Sequence, residues 1–105
     1  MEANEIIWTS RATNDLKKAY HFYTQIIGEE KAFKLILLLL DRIDLLSDRR
    51  FSKLGAIDEE FVDMKRDYRK LIEGDIKITY RLSTSKPIVY INRIFDTRQN
   101  PLKNK

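Results

Sequence analysis

The sequence predicts a two-layer α+β domain in which a helical hairpin packs on a mostly antiparallel four-stranded sheet, in the order β-α-α-β-β-β. Three observations predict this fold. Residues 76–82 alternate apolar and polar side chains, which is the period of a strand. Residues 11–27 and 29–46 repeat apolar side chains every three or four positions, with only Gly28 between them. Short links join the last three strands, which indicates antiparallel neighbours.

The first strand and the first helix follow one another directly. Residues 6–9 are apolar and favour β-structure, so they predict a strand. Ser10 comes next and is a suitable N-cap for a helix over residues 11–27. The apolar stripe of this helix consists of Leu16, Ala19, Tyr20, Tyr23 and Ile27. Gly28 occupies the position at which helices commonly end.

The second helix, predicted over residues 29–46, begins with Glu29 and Glu30, which suit the helix dipole. Leu37 and Leu38 widen its apolar side, so we expect more than half of its circumference to be covered. Its predicted buried stripe consists of Ala32, Leu35, Ile36, Leu39, Leu40, Ile43 and Leu46.

The last third of the chain predicts three strands, at residues 68–73, 76–82 and 88–95. The middle strand should have one buried and one wet face. The last strand is apolar on both faces, with residues 88, 90 and 94 on one side and 89, 91 and 95 on the other, which is typical of a strand inside a sheet. Between helix and strands, residues 54–55 suggest a turn and residues 57–64 a short helix or a loop. The tail, residues 99–105, should leave the sheet and fray.

Length and composition predict one domain, residues 1–105, with a formal net charge of +4. This charge suits an acidic partner or nucleic acid and selects neither. The absence of cysteine excludes disulfides, and we expect a cytoplasmic protein. The start of the chain lacks a signal-peptide pattern, and the longest apolar run is far shorter than the roughly 18 residues of a membrane span. No glycine-rich phosphate loop occurs, and we expect no cofactor and no metal.

Three segments, taken in order, carry a resemblance to a known family. Residues 7–16 combine an apolar strand with an Ala-x-x-Asp-Leu sequence. Residues 69–81 contain an Arg-x-Leu strand and a strand that ends in Tyr-Arg. Residues 93–101 form a closing strand with an Arg-x-x-Pro exit. With these segments the chain resembles, over residues 6–101, the RelE/ParE superfamily of toxins from type II toxin–antitoxin modules.

The resemblance implies a small cytoplasmic toxin that inhibits growth, acts in plasmid stabilization or on a chromosome, and forms a hetero-oligomer with a neutralising antitoxin. One branch of the superfamily cuts messenger RNA on the ribosome, and the ParE-like branch poisons DNA gyrase. The RNA-cutting branch tends to place a His, a Tyr or an extra Lys near the sheet and the C-terminal end, for acid–base chemistry on the ribose hydroxyl. In this chain Asp96 stands where the closing segment of the ParE-like branch usually has a His, and no Tyr follows. The resemblance therefore favours a gyrase inhibitor. A ribosome-dependent, metal-independent endoribonuclease is the alternative, so enzymatic activity stays an open question.

Six residues are candidates for binding the target: Arg69, Lys77, Tyr80, Arg81, Asp96 and Arg98. Lys77 and Arg81 share the polar side of the middle strand. Our hypothesis is that Arg69, Arg81 and Arg98 join Lys77 in one cationic surface on the open side of the sheet. The alternative is a solvated sheet face on which these arginines pair with carboxylates.

Other side chains allow more than one interpretation. Asp96 can be a weak base, a clamp on Arg98 or a turn residue, of which the clamp or the turn is preferred. Tyr68 and Tyr80, beside the arginines, are candidates for stacking on a partner. RNA cleavage without a metal needs a base and an acid, but His21 lies off the apolar stripe of the first helix and is interpreted as solvated. The acidic residues 58–60 and 63 are interpreted as a solvated segment rather than a metal site.

Overall fold

Two helices lie on one mixed sheet in the order that the sequence predicts. A computed structural model describes residues 3–52, 56–57 and 67–98. The elements are β1 (Glu5–Trp8), α1 (Ser10–Ile27), α2 (Glu29–Asp44), a 3₁₀ turn (Leu45–Ser47), β2 (Ala56–Ile57), β3 (Asp67–Glu73), β4 (Ile76–Leu82) and β5 (Ile88–Asp96). The predicted fold class is confirmed, and the observed boundaries differ from the predicted ones by at most two residues.

The sheet has the strand order β1-β5-β4-β3-β2. The first strand, β1, pairs with β5 in parallel, and the other pairs are antiparallel. The sequence does not predict β2, whose two residues extend the edge of β3. The predicted turn at residues 54–55, most of the helix or loop predicted over 57–64, and the tail 99–105 lie outside the described residues.

Thr9, rather than the predicted Ser10, is the N-cap of α1. Its hydroxyl oxygen accepts a hydrogen bond from the N–H of Ala12 at 3.1 Å. The same hydroxyl lies 2.9 Å from the carbonyl oxygen of Ile91, and the N–H of Thr9 donates to that carbonyl at 3.2 Å. Thr9 thus caps the helix and binds β5 at once, which fixes the angle at which α1 leaves the sheet.

Gly28 forms the whole link between the two helices. Its N–H donates to Thr24 O at 3.1 Å, and its own carbonyl accepts from Ala32 at 3.0 Å. Its φ of 89° lies in the region that only glycine adopts readily, so a side chain here would strain the turn. The predicted hairpin with a one-residue link is confirmed.

The core lies between the hairpin and one side of the sheet, which we call the inner face. The opposite side is the outer face. The buried residues of the core are Ala12, Tyr23, Ala32, Ile36, Leu39, Ile43, Leu46, Ile76, Ile78, Tyr80, Val89, Ile91 and Ile94. Most of the two predicted helical stripes is therefore buried, whereas Ile27 and Leu40 are exposed.

The middle strand, β4, is covered on both faces, and the predicted wet face is wrong. Lys77 and Thr79, on the outer face, are only 8% and 6% exposed. The physical reason is the central place of the strand, because Lys77 has Ile72 and Phe95 directly opposite it on the two neighbouring strands. Neighbouring side chains across the sheet therefore exclude water from the outer face of β4.

One extra residue in β5 reverses the side to which its last residues point. The pairing with β4 shifts between Thr79 and Tyr80, so that Asn92 has no residue opposite it in that strand. A bulge of this kind interrupts the alternation of side chains. Ile94 therefore lies on the inner face and Phe95 on the outer face, and the predicted grouping of these two residues is wrong.

The second helix, α2, exposes much of its apolar surface. Leu37 is 45% exposed and Leu38 is 43% exposed, although the sequence predicts a helix covered on more than half of its circumference. This expectation is wrong for the chain by itself, because only the side with Ala32, Ile36 and Leu39 meets the core.

Asp15 ties α1 to the part of β5 that β1 does not reach. Its carboxylate accepts a hydrogen bond from the N–H of Ile94 at 3.0 Å and from Arg93 Nε at 2.8 Å. Both side chains of this ion pair are largely shielded, at 12% and 22% exposure. The contact satisfies an edge N–H and neutralises an arginine at the same time.

We expect Asp15→Ala to lower the free energy of unfolding by about 2 kcal/mol, because it leaves a shielded guanidinium and a backbone N–H without an acceptor. Urea denaturation followed by circular dichroism measures this. Glu30→Ala is the control, since Glu30 belongs to a highly exposed ion pair with Lys34 and should change stability by less than about 0.5 kcal/mol. Equal effects of the two substitutions would contradict the role given to Asp15.

Candidate functional site

The alternation of strands β3 and β4 separates the predicted arginines. Arg69 lies opposite Tyr80, and Tyr68 lies opposite Arg81. Because residues directly opposite one another point to the same face, Arg69 shares the inner face with the buried Tyr80, whereas Arg81 lies on the outer face. The prediction of one cationic surface that contains both arginines is wrong.

Arg81 is the centre of an aromatic row on the outer face. Its guanidinium lies 4.0 Å from the centroid of the Tyr90 ring. Tyr68 is opposite it on the other neighbouring strand, and all three side chains are half-buried. A guanidinium held over an aromatic ring keeps its charge and loses little rotamer freedom when a partner binds. The row therefore presents to a binding partner a guanidinium of fixed position between two aromatic side chains.

Lys77 lies four residues before Arg81, on the same face but closer to the other end of β4. Its Nζ is 5.6 Å from the Phe95 ring centroid, and the guanidinium of Arg93 is 5.8 Å from the same centroid. Phe95 thus has two cations close to its ring. Lys77 is buried, so it adds positive potential to the outer face without standing out from it.

Tyr80 has a structural role in the core. Its side chain is completely buried, and its hydroxyl donates to the carbonyl oxygen of Ser52 at 3.1 Å. A buried phenol with a satisfied hydroxyl cannot stack on a partner. The geometry therefore leaves Tyr80 out of the surface that the sequence predicted for it.

Asp96 and Arg98 form a closed pair at the end of β5. Arg98 donates to the Asp96 carboxylate through Nη2 at 2.9 Å, through Nε at 3.2 Å and through its backbone N–H at 2.8 Å. The Arg98 hydrogen bonds hold the pKa of Asp96 at about 2, against the opposing effect of burial. The interpretation of Asp96 as a clamp on Arg98 is confirmed, and an acid this strong is a poor base for RNA cleavage.

Tyr23 completes this cluster from α1. Its hydroxyl is hydrogen-bonded to Asp96 Oδ2, and Arg98 Nη2 lies 3.3 Å from the same hydroxyl. Burial, together with the bond to Asp96, raises the pKa of Tyr23 to about 12. The sequence places Tyr23 correctly in the apolar stripe, but it gives no signal for the partner of the hydroxyl, because 73 residues separate the two side chains.

Arg98 is neutralised rather than free to bind a target. Besides Asp96, its Nη1 lies 3.3 Å from Asp75 in the β3–β4 turn, and these partners raise its pKa. Thr97 adds two bonds to the Asp75 carbonyl oxygen, at 2.8 and 3.0 Å. The end of β5 is thereby joined to α1 and to the turn. We call Tyr23, Asp75, Asp96 and Arg98 the latch.

His21 lies far from the outer face of the sheet. It is exposed on α1, where its ring contacts Gln25 at 3.3 Å. Among residues 3–52, 56–57 and 67–98 there is no group of three or more His, Cys, Asp or Glu that could hold a metal ion. The described residues thus offer a place to bind a partner, but they bring no histidine to the cations of the sheet.

The element order agrees with the class of protein that the three sequence segments resemble, the small α+β toxins of type II modules. A family model described as the ParE toxin of the type II toxin–antitoxin system parDE matches residues 6–101. The chain belongs to this ParE toxin family.

A solved structure, the chromosomal ParDE toxin–antitoxin system from P. aeruginosa, is similar with a TM-score of 0.69 and 24% identity, over 89% of this chain and 95% of that chain. At this identity the likeness concerns the fold. No curated protein matches the chain. No helix within the described part of the chain is long and apolar enough to cross a membrane.

The latch predicts a loss of stability in acid. Because the pKa of Asp96 is about 2 in the folded state and roughly 3.9 in an unfolded chain, its contribution is complete above pH 4 and is lost as the pH falls through 2. We expect Asp96→Asn to cost about 2 kcal/mol at pH 7, and we expect the difference from the wild type to shrink towards pH 2. Urea denaturation across this pH range measures both values.

Asp75→Asn is the matched control, because the Asp75 side chain is half-exposed and makes one longer contact with Arg98. It should change stability by less than about 0.5 kcal/mol at any pH. A difference between wild type and Asp96→Asn that stayed constant from pH 7 to pH 2 would contradict the assigned pKa.

Proposed function

We propose that the protein inhibits growth in the cytoplasm by binding DNA gyrase, and that a cognate antitoxin neutralises it by covering α2. The chain is a ParE-type toxin of a type II toxin–antitoxin system. The observation that carries the proposal is the apolar surface that α2 leaves open, because proteins in water rarely expose such a surface without a partner. Together, the toxin and its antitoxin would stabilise the plasmid or the chromosome that encodes them.

The exposed surface of α2 is continuous along one side. Phe33, Leu37 and Leu40 are 54%, 45% and 37% exposed and recur at four- and three-residue steps. Side chains at these steps lie one above another on a helix. We call these three residues the α2 stripe. Its spacing suits the apolar side of a second helix laid beside α2.

A groove continues the α2 stripe towards the edge of the sheet. It has a volume of about 290 Å³ and lies between β1 and the last turns of α2. Its lining consists of Ile6, Trp8, Leu40, Asp41, Ile43 and Asp44. Two carboxylates in the lining of this groove, Asp41 and Asp44, favour an antitoxin segment that carries a lysine or arginine beside its apolar side chains.

Leu37→Asp should weaken the binding of the antitoxin by at least about tenfold, because it puts a charge into the centre of the covered stripe. Isothermal titration of the antitoxin with the purified chain measures this, and co-expression should leave the variant toxic. Leu38→Asp is the matched control. Leu38 is 43% exposed on the same helix but lies off the α2 stripe, because neighbouring residues on a helix diverge by about 100°. Equal losses of affinity in the two variants would refute the placement of the antitoxin on the α2 stripe.

The outer face of the sheet is the side that we assign to gyrase. Arg81 provides a cation fixed on Tyr90, and Lys77 adds positive charge beside Phe95. The latch, in contrast, has two carboxylates for one arginine and is not cationic. Binding through the outer face also leaves α2 for the antitoxin, so the two partners would meet different sides of the domain.

We expect Arg81→Ala to abolish growth inhibition and to raise the concentration that inhibits supercoiling by gyrase at least about tenfold. Arg50→Ala is the control, because Arg50 is an exposed arginine that is paired with Asp48 away from the outer face. Antitoxin binding should be unchanged in both variants, which shows that they are folded.

Cells that express the protein also distinguish gyrase inhibition from the alternative function, that of a RelE-type endoribonuclease. Double-strand breaks and an SOS response on expression support the gyrase assignment. Cleaved messenger RNA with normal supercoiling would overturn it in favour of the nuclease. The latch chemistry favours the first outcome, because a tyrosine with a pKa of about 12 and an aspartate with a pKa of about 2 are poorly matched to proton transfer at neutral pH.

A further inference from the structure

The outer face of the sheet carries an arginine whose charge the chain does not neutralise. Within the described part of the chain, no carboxylate lies within ion-pair distance of Arg81. In contrast, Arg93 is bound to Asp15, and Arg98 is bound to Asp96. Arg81 is half-buried and has therefore lost part of its hydration without gaining an opposite charge. An anionic group of a binding partner would supply that charge.

Apolar and aromatic side chains surround this arginine. The Tyr90 ring lies against the guanidinium of Arg81, and Tyr68 is directly opposite on β3. Ile72 lies on the same face near the other end of β3 and is 53% exposed. Lys77, directly opposite Ile72, is only 8% exposed. The outer face thus combines one arginine of fixed position with an exposed aliphatic side chain.

We propose that the outer face binds a carboxylate of gyrase itself, carried on an otherwise apolar segment, and not the DNA that gyrase holds. This inference rests on the assignment of the outer face to gyrase. The carboxylate accepts two hydrogen bonds from the planar fork of Arg81, and an apolar side chain of the same segment covers Ile72. Because Arg81 is opposite Tyr68, four residues before Ile72, the two contacts lie roughly 13 Å apart along the strands.

Arginine binds phosphate as well as carboxylate, so the neighbours of Arg81 distinguish the two ligands. A nucleic-acid backbone is bound by several cations that each reach a phosphate. On this face Lys70 is half-buried and Lys77 is buried. An exposed isoleucine finds no apolar counterpart on a phosphate backbone. In contrast, the centres of protein interfaces are enriched in tyrosine and arginine and depleted in lysine. The composition of the outer face therefore favours a protein ligand.

The test measures the binding of the full chain to purified gyrase by biolayer interferometry, with and without DNA. We expect the wild type to bind gyrase in the absence of DNA. Arg81→Lys keeps the charge but loses the planar fork, and it should weaken binding at least about tenfold. Ile72→Asp should weaken binding by a similar factor, because it places a charge in the apolar contact.

Ile26→Asp is the matched control for Ile72→Asp. Ile26 is 55% exposed on α1, which packs on the inner face, so this variant should bind gyrase as the wild type does. Ile72→Thr keeps a β-branched side chain in the strand and removes only apolar surface, so it should also weaken binding. Unchanged binding of the antitoxin shows that each variant is folded.

Two results would overturn this inference and leave the gyrase assignment in place. The first is binding of the wild type to gyrase only when DNA is present, with a steep dependence on salt, which would make phosphate the ligand. The second is an unchanged affinity for gyrase in Arg81→Lys or in both Ile72 variants. If the wild type bound gyrase neither with nor without DNA, the gyrase assignment would be wrong, and this inference with it.

Discussion

The bulge at Asn92 is the constraint on which the functional arrangement depends. Up to that residue, β5 follows the alternation of β4, and beyond it the alternation is reversed. Without the extra residue, Asp96 would point to the outer face and Phe95 into the core. With it, Asp96 meets Tyr23 of α1, and Phe95 receives the cations of Lys77 and Arg93. One unpaired residue thus places Asp96 of the latch on the inner face and Phe95, beside Lys77, on the outer face.

Local chemistry made the fold class predictable. The two helices, Gly28 and the three final strands follow from periodicity and turn residues, and these signals act over a few positions. The predictions from sequence are wrong where a residue distant in the chain determines the local structure. The bulge depends on the register between two strands, and the burial of Lys77 depends on its neighbours across the sheet. Ser10 and Thr9 are both good caps, and the contact of Thr9 with Ile91 selects between them.

The candidate site was predictable only as a set of residue types. Sequence spacing puts Arg69 and Arg81 in adjacent strands, but pairing in a sheet decides which face each takes. Asp96 next to Arg98 is a local pair, and its interpretation as a clamp was correct. Tyr23 was missed because its role depends on a hydroxyl that meets a carboxylate from the far end of the chain. Leucines on α2 that look like core residues are instead exposed, and we propose that they bind the antitoxin.

The contact between Asp15 and Ile94 also limits how the sheet can grow. An unpaired edge is a template for another chain, and β5 would offer one beyond the end of β1. The carboxylate of Asp15 already occupies an edge N–H there, and α1 stands beside it. On this side the edge strand that remains is the four-residue β1, and a short edge strand limits pairing with a neighbouring molecule.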